Sequence, residues 1–264
     1  TVKTIGFSAF NGCTNLTNPA IPTSVTLIDE HAFEECTSIT AITVPDSTAA
    51  NQTKTIKDSA FNKCNSLTSV HIGKEVTTIG KGAFAGCTSV AEMTLPFVGS
   101  SASATSASNS DTASTLFGWI FGSTYYVDGT EISQYYSSSA FAKYYIPSTL
   151  KKLTITGNTA ANVRLNYGAL SNMTMLTEVI IEDGVNYIYD STLRGCSNIT
   201  NLTIPFVGYA KTATSPSTTT VFGYIFGASS YTGGRQINQI YNSSNNSVNY
   251  YIPTGLTTVT VTGG

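Results

Sequence analysis

Ile79-Gly80-Lys81-Gly82-Ala83-Phe84-Ala85-Gly86-Cys87-Thr88-Ser89-Val90-Ala91-Glu92-Met93-Thr94-Leu95 carries the spacing that decides the fold. A phenylalanine stands three positions before the cysteine, and an isoleucine five positions before that. Apolar residues then follow at three, six and eight positions past the cysteine. The same arrangement recurs along the chain. Phe10, Phe33, Phe61, Phe84 and Leu193 precede Cys13, Cys36, Cys64, Cys87 and Cys196, and Ile5, Ile28, Ile56, Ile79 and Ile188 open the units. In a sixth copy Leu165, Leu170 and Met173 take these places, with methionine in the cysteine slot. The steps between the Phe positions are 23, 28 and 23 residues, and Leu170 to Leu193 is again 23. A fixed period of this length is the mark of a solenoid.

The apolar pair at six and eight positions past each cysteine encloses one outward residue, the period of a half-buried strand. This predicts eight short strands near 18–21, 41–44, 69–72, 92–95, 152–155, 178–181, 201–204 and 258–261. One such strand cannot cover its own apolar face, so stacked copies must share a core in a parallel sheet. The first copy is irregular: Pro19 stands where the first apolar strand residue should be, which fits an edge.

The full unit, I-x-x-x-A-F-x-x-C-x-x-L-x-x-V-x-I-P, resembles the BspA-like, or Treponema-type, leucine-rich repeat, over nearly the whole chain outside two insertions. The resemblance implies a leucine-rich-repeat solenoid of the α/β class, strand-dominated and right-handed. Its parallel sheet would line the concave side, with irregular or short-helical turns on the convex side. It also implies an extracellular, bacterial cell-surface protein, often adhesive.

Residues 96–149 and 205–255 break the rhythm, and the two breaks resemble each other. Pro96-Phe97-Val98-Gly99 matches Pro205-Phe206-Val207-Gly208, Phe117-Gly118-Trp119-Ile120-Phe121-Gly122 matches Phe222-Gly223-Tyr224-Ile225-Phe226-Gly227, and Tyr144-Tyr145-Ile146-Pro147 matches Tyr250-Tyr251-Ile252-Pro253. Each break closes on a new strand pattern, so residues 1–264 read as one array with two homologous, aromatic-rich insertions. The apolar Phe-Gly-x-Ile-Phe-Gly core is expected to cap the solenoid flank, and the Ser/Ala run from Ser100 to Ser114 reads as a mobile loop tip. The chain starts mid-repeat and ends on a strand without a polar cap, and solenoids need capping repeats. The expectation is therefore a piece of a longer natural chain.

Composition narrows the functional classes. Of 264 residues, 11% are charged, and the formal net charge is −2. That balance argues against a nucleic acid held by electrostatics, and no apolar run is long enough for membrane insertion. Like charges stacked in register along a ladder would repel, which accounts for outward sites filled by Thr, Ser and Asn.

Five cysteines at one equivalent slot per rung are expected to be free, buried thiols, because parallel neighbouring rungs hold their Cβ atoms too far apart for a disulfide. No metal site, cofactor or catalytic constellation emerges: the chain has 2 His and lacks a nucleophile elbow. Gly80-Lys81 lacks P-loop spacing. Glu92 and Glu178 should flank Lys152 on the sheet as surface charge rather than as a glycosidase pair. The binding candidates are His71, Glu92 and Glu178 on the sheet, and Trp119, Tyr125, Tyr126, Tyr135, Tyr136, Tyr231, Arg235 and Tyr241 in the insertions. Trp, Tyr and Arg favour interfaces, and they cluster in the insertions. With the solenoid architecture, the resemblance implies a non-enzymatic adhesion module that meets a host or bacterial surface protein. Two alternatives stay open: a glycan-binding module using the loop tyrosines, and a spacer presenting another domain.

Overall fold

The computed structural model describes residues 1–46, 52–105 and 113–263. Seven strands form one parallel front sheet: Ala41–Val44, Ser69–Ile72, Glu92–Leu95, Lys152–Gly157, Glu178–Ile188, Asn201–Ile204 and Thr258–Val261. Their order in space is their order in the chain. Ile42, Val70, Met93, Leu153, Val179 and Leu202 lie inward, and Ala41, Glu92 and Asn201 face out. Two strands depart from the alternation: Thr154 and Thr156 are buried, and all of Thr258–Val261, including Val259 and Val261, is exposed.

The strand expected at 18–21 does not form. Proline at position 19 has no N–H to give to a ladder. Thr40 of the next rung engages this segment through its amide, donating to the Thr17 carbonyl at 3.3 Å, and its hydroxyl, donating to Asn18 Oδ1 at 3.4 Å. The array therefore opens on a loop and has seven front strands.

Behind the front sheet lies a second parallel sheet, built from Thr4–Ile5, Leu27–Ile28, Lys54–Ile56 and Val76–Ile79. Val163–Leu165 continues this layer by pairing with the far end of Glu178–Ile188. The isoleucines that open the units thus sit on strands. No α-helix occurs among the described residues, and the side expected to be irregular or short-helical is made of stacked turns. The 3-10 turns are confined to the insertions.

The turns have their own ladder. Phe10, Phe33 and Phe61 donate backbone N–H groups to Ala32, Ala60 and Ala83 at 2.7–2.8 Å, and Leu170 donates to Thr192 at 3.0 Å. To aim these amides along the array, each turn holds two residues in the left-handed region. Glu35 and Lys63 occupy one of those positions in their rungs at φ 60° and 59°, where other rungs use Gly12, Gly86 and Gly195. Inside the turns, Phe10, Phe33, Phe61 and Phe84 form a column with ring centroids 5.1, 5.3 and 5.2 Å apart and nearly parallel planes.

Cys36, Cys64, Cys87 and Cys196 are free and fully buried beside this column. Each thiol donates to the backbone carbonyl of the preceding rung: Phe10, Phe33, Phe61 and Leu170, at 3.0–3.2 Å. Met173 fills the same slot. Cys13 departs from expectation. It lies in the first described turn and is exposed. A disulfide reagent is expected to titrate one thiol in the native protein and all five after denaturation. Four fast-reacting thiols in the native state would contradict the packing.

Burial pushes the Cys36 thiol up to about 11 and that of Cys196 to about 12, from 9.0. Below pH 9 both states hold these protons, and stability is unaffected. Above it the unfolded chain loses them first, so stability falls as pH rises towards 11–12, by up to about 1.4 kcal/mol per pH unit per thiol. Urea denaturation at pH 8 and pH 10 should show this decline, and Cys196→Ala should reduce it. A decline unchanged by that substitution would assign it elsewhere.

Candidate functional site

The front sheet places an ordered ladder of outward side chains, with residues of successive rungs in direct register. Ser69, Glu92, Lys152, Glu178, Asn201 and Thr258 form one row. Its centre is charged in alternation. Lys152 Nζ lies 3.2 Å from Glu178 Oε1, and on the other side Ser69 Oγ donates to Glu92 Oε1 at 2.9 Å. His71 is exposed on the neighbouring row, opposite Thr43 and Thr94. The two carboxylates are held apart by a cation, and no group of three or more His, Cys, Asp or Glu could hold a metal among the described residues.

The insertions take a different place from the one their sequence implied. Gly82 and Phe84 donate N–H groups to the Trp119 and Ile120 carbonyls at 2.9 and 2.8 Å, and Phe117 donates to Ala169 at 2.9 Å. The 3-10 turn Phe117–Ile120 is therefore a rung of the turn ladder, seated between Phe84 and Leu170, and not a cap on the flank. The second insertion repeats this: Ser191 and Leu193 donate to Tyr224 and Ile225 at 3.3 and 2.8 Å. Each insertion then forms an antiparallel hairpin, Gly129–Tyr135 with Phe141–Pro147 and Gly234–Ile240 with Ser247–Pro253. Gln134 and Gln239 tie hairpin to turn, each accepting at 2.7 Å from the backbone of Gly118 and Gly223. Within the Ser100–Ser114 run, the described ends are fastened: Ser100 donates to the Ser114 carbonyl at 2.7 Å, and Ala102 and Ala113 are buried. Residues 106–112, on which the mobile-tip expectation falls, lie outside the described residues.

Most insertion aromatics hold the fold. Trp119 is half-buried and donates Nε1–H to the Ile79 carbonyl at 3.0 Å, with the Lys81 ammonium 5.9 Å from its ring centre. Tyr126 and Tyr231 are equivalent, and their hydroxyls donate to the Tyr145 and Tyr251 carbonyls at 2.6 and 2.9 Å. Burial raises both phenols well above their ordinary range. Tyr135 lies 4.6 Å from the Arg194 guanidinium, and Tyr136 packs against the core. Tyr241 is half-buried, and Arg235 is exposed on the second hairpin. Tyr125 is the outlier, 67% exposed and edge-on to Tyr145 at 5.4 Å. Tyr125 and Tyr126 line a cleft of about 420 Å³ with Asn62, Lys63, Lys81 and Asp58.

One feature was missed by the sequence reading. Tyr189, Tyr209 and Tyr224, from three separated segments, line a second cleft of about 510 Å³ with Thr212, Thr214, Ser215, Ser217 and Thr219. The available signal was the comparison of the two insertions: the corresponding first-copy residues are Gly80, Ser100 and Trp119.

The family model for the BspA type leucine rich repeat region matches residues 3–116 and 130–252 in six copies. No curated protein matches the chain. Among solved structures, the chain is similar to a leucine rich repeat protein of T. pallidum at 16% identity, with 63% of this chain and 59% of that one covered and a TM-score of 0.29. A leucine-rich repeat protein from Bacteroides ovatus matches at 18% identity over 76% and 58%, with a TM-score of 0.29. A leucine rich cell surface protein from Faecalibacterium prausnitzii matches at 19% over 86% and 61%, with a TM-score of 0.28. The chain thus spans about three-fifths of the length of these structures.

Proposed function

The chain belongs to the BspA-type leucine-rich repeat family, and from that premise we propose that it is a non-enzymatic, surface-displayed adhesion module whose front sheet meets a host or bacterial surface protein. The observation that carries this reading is the registered outward row with Glu92, Lys152 and Glu178 at its centre. Seven strands at about 4.8 Å spacing give a face roughly 29 Å across, wide enough for a standard protein interface. The row is rigid, because each of its residues is fixed by a parallel ladder. Alternating charge at its centre favours a partner of complementary pattern and supplies register more than affinity. The insertion aromatics support the same assignment by exclusion, since Trp119, Tyr126, Tyr135 and Tyr231 already contact this chain's own backbone or side chains.

The test is charge reversal at the centre. Lys152→Glu places three carboxylates in one row and should lower binding to epithelial surfaces or immobilised matrix proteins about tenfold or more. Its melting temperature should fall only modestly, because an exposed ion pair contributes at most about 1 kcal/mol and each like-charge neighbour in register costs about 0.2–1 kcal/mol. Unchanged binding would remove the front sheet from the reading.

A further inference from the structure

We infer that the tyrosine-walled cleft of the second insertion binds a neutral sugar residue of a glycan. Tyr189 ends the rear-side strand region of its rung, Tyr209 follows the Pro205-Phe206-Val207-Gly208 segment, and Tyr224 stands in the 3-10 turn Phe222–Phe226. Three segments thus bring three phenol rings to one concavity, and none of the three side chains is fully buried. The rest of the lining comes from the loop that carries Thr212, Ala213, Thr214, Ser215, Ser217 and Thr219.

That loop is built to hold its shape. Ser217 Oγ accepts from the Thr219 amide, and Thr220 Oγ1 accepts from the Ser217 amide at 3.0 Å, forming a capping box around Thr218–Thr220. The Tyr250 hydroxyl donates to the Thr218 carbonyl at 2.7 Å and fastens the loop to the second hairpin. Tyr209 is fixed in turn, with its amide donating to the Thr219 carbonyl at 3.0 Å and its carbonyl accepting from the Ile188 amide at 2.9 Å. The cleft is preformed by hydrogen bonds that a ligand need not make.

Its chemistry selects the ligand. The lining is three tyrosines, five serine or threonine residues and Ala213, with no charged side chain. A carboxylate or phosphate ligand would enter without a counter-charge and lose its hydration, and the nearby Asp190 carboxylate, which acts on Tyr224, would repel it further. A peptide would need its backbone donors and acceptors matched in sequence along a strand edge, which this loop does not present. A neutral sugar offers an apolar C–H face for the rings and hydroxyls for the Ser and Thr side chains, matching both parts of the lining. The Tyr189 and Tyr209 hydroxyls have no hydrogen-bond partner among the described residues, so both phenols are available as donors.

The duplicated insertion provides an internal control. The backbone frame is retained in the first copy: Ile79 donates to Ser100 as Ile188 donates to Tyr209, and the Ser101 and Ala210 bridges correspond. Yet Gly80 and Ser100 replace two of the rings. A Cβ on Gly80 would approach Asp58 backbone to 2.2 Å, so the first copy has no room for a side chain there. The rings are therefore an addition to the shared frame and are not required by it.

Saturation-transfer NMR and calorimetry of the full chain with lactose, maltotetraose and chitotetraose, and with sialyllactose as the anionic probe, test the assignment. At least one neutral probe should receive saturation at its ring protons and should bind more tightly than sialyllactose. Tyr209→Ala should weaken that probe tenfold or more, and Tyr209→Phe should retain most of its affinity. Tyr125→Ala, at the other cleft, should leave binding unchanged, as should Lys152→Glu on the front sheet. No transfer to any neutral probe would overturn the proposal, as would binding lost with Tyr125→Ala but kept with Tyr209→Ala. Because the front-sheet variant reports separately on protein adhesion, the two readings fail independently.

Discussion

Phe61→Ala is expected to destabilise the protein by about 3–5 kcal/mol, the range for removing a buried aromatic ring. Phe61 has no exposed surface, and its ring stacks between Phe33 and Phe84 at 5.3 and 5.2 Å. Truncation removes both contacts and leaves a void that the neighbouring rungs cannot close, because their backbones are held at ladder spacing. Offset stacking adds about 0.5–1.5 kcal/mol per ring pair beyond area. The position of the defect matters as much as its size. In a solenoid each rung contacts only its neighbours, so the variant should also uncouple the N-terminal rungs and broaden the urea transition. Phe10→Ala provides the comparison: Phe10 is 41% exposed and stacks on one side only, so its loss should cost less than half as much. Equal effects for the two variants would show that the column is not a continuous stabilising element.

Gly157→Ala should be still more damaging. Gly157 closes the central front strand at φ +84° and lies opposite Gly184 in the register. A Cβ there would stand 2.3 Å from the Gly184 backbone, and an L-residue is strained at that φ in any case. Neither strand can retreat, because Lys152–Gly157 is paired on both sides. A loss of about 4 kcal/mol or more is expected, at the extreme of single-substitution effects, read as insoluble expression or a collapsed denaturation midpoint. Gly255→Ala is the control: nothing lies within 4 Å of its added Cβ, and it should behave as the parent protein does. A soluble Gly157→Ala protein with a parental midpoint would refute the close approach.

Much of the fold was legible before any coordinates. Positions of Phe33, Cys36, Ile39, Ile42 and Val44 relative to one another state which side chains point inward, and a strand or turn repeats that geometry at every rung. The Glu92–Lys152–Glu178 order followed from the same register. Residues 18–21 differed because proline cannot donate, and Cys13 because it is solvent-exposed in the first described turn. The rear sheet was not legible as strands. Two- and three-residue segments such as Leu27–Ile28 are too short to display alternation, and they exist because neighbouring rungs supply their partners.

Spacing alone therefore determined the period, the front strands, the stacked column and the duplication of the insertions, since each depends on side-chain direction within a local unit. Only the tertiary structure decided that the insertions are rungs, because that role rests on the backbone carbonyls of Trp119, Ile120, Tyr224 and Ile225, which any side chain would carry. It alone joined Tyr189, Tyr209 and Tyr224 into one cleft. Those residues come from separate segments with no common spacing, and what unites them is where three backbone paths converge.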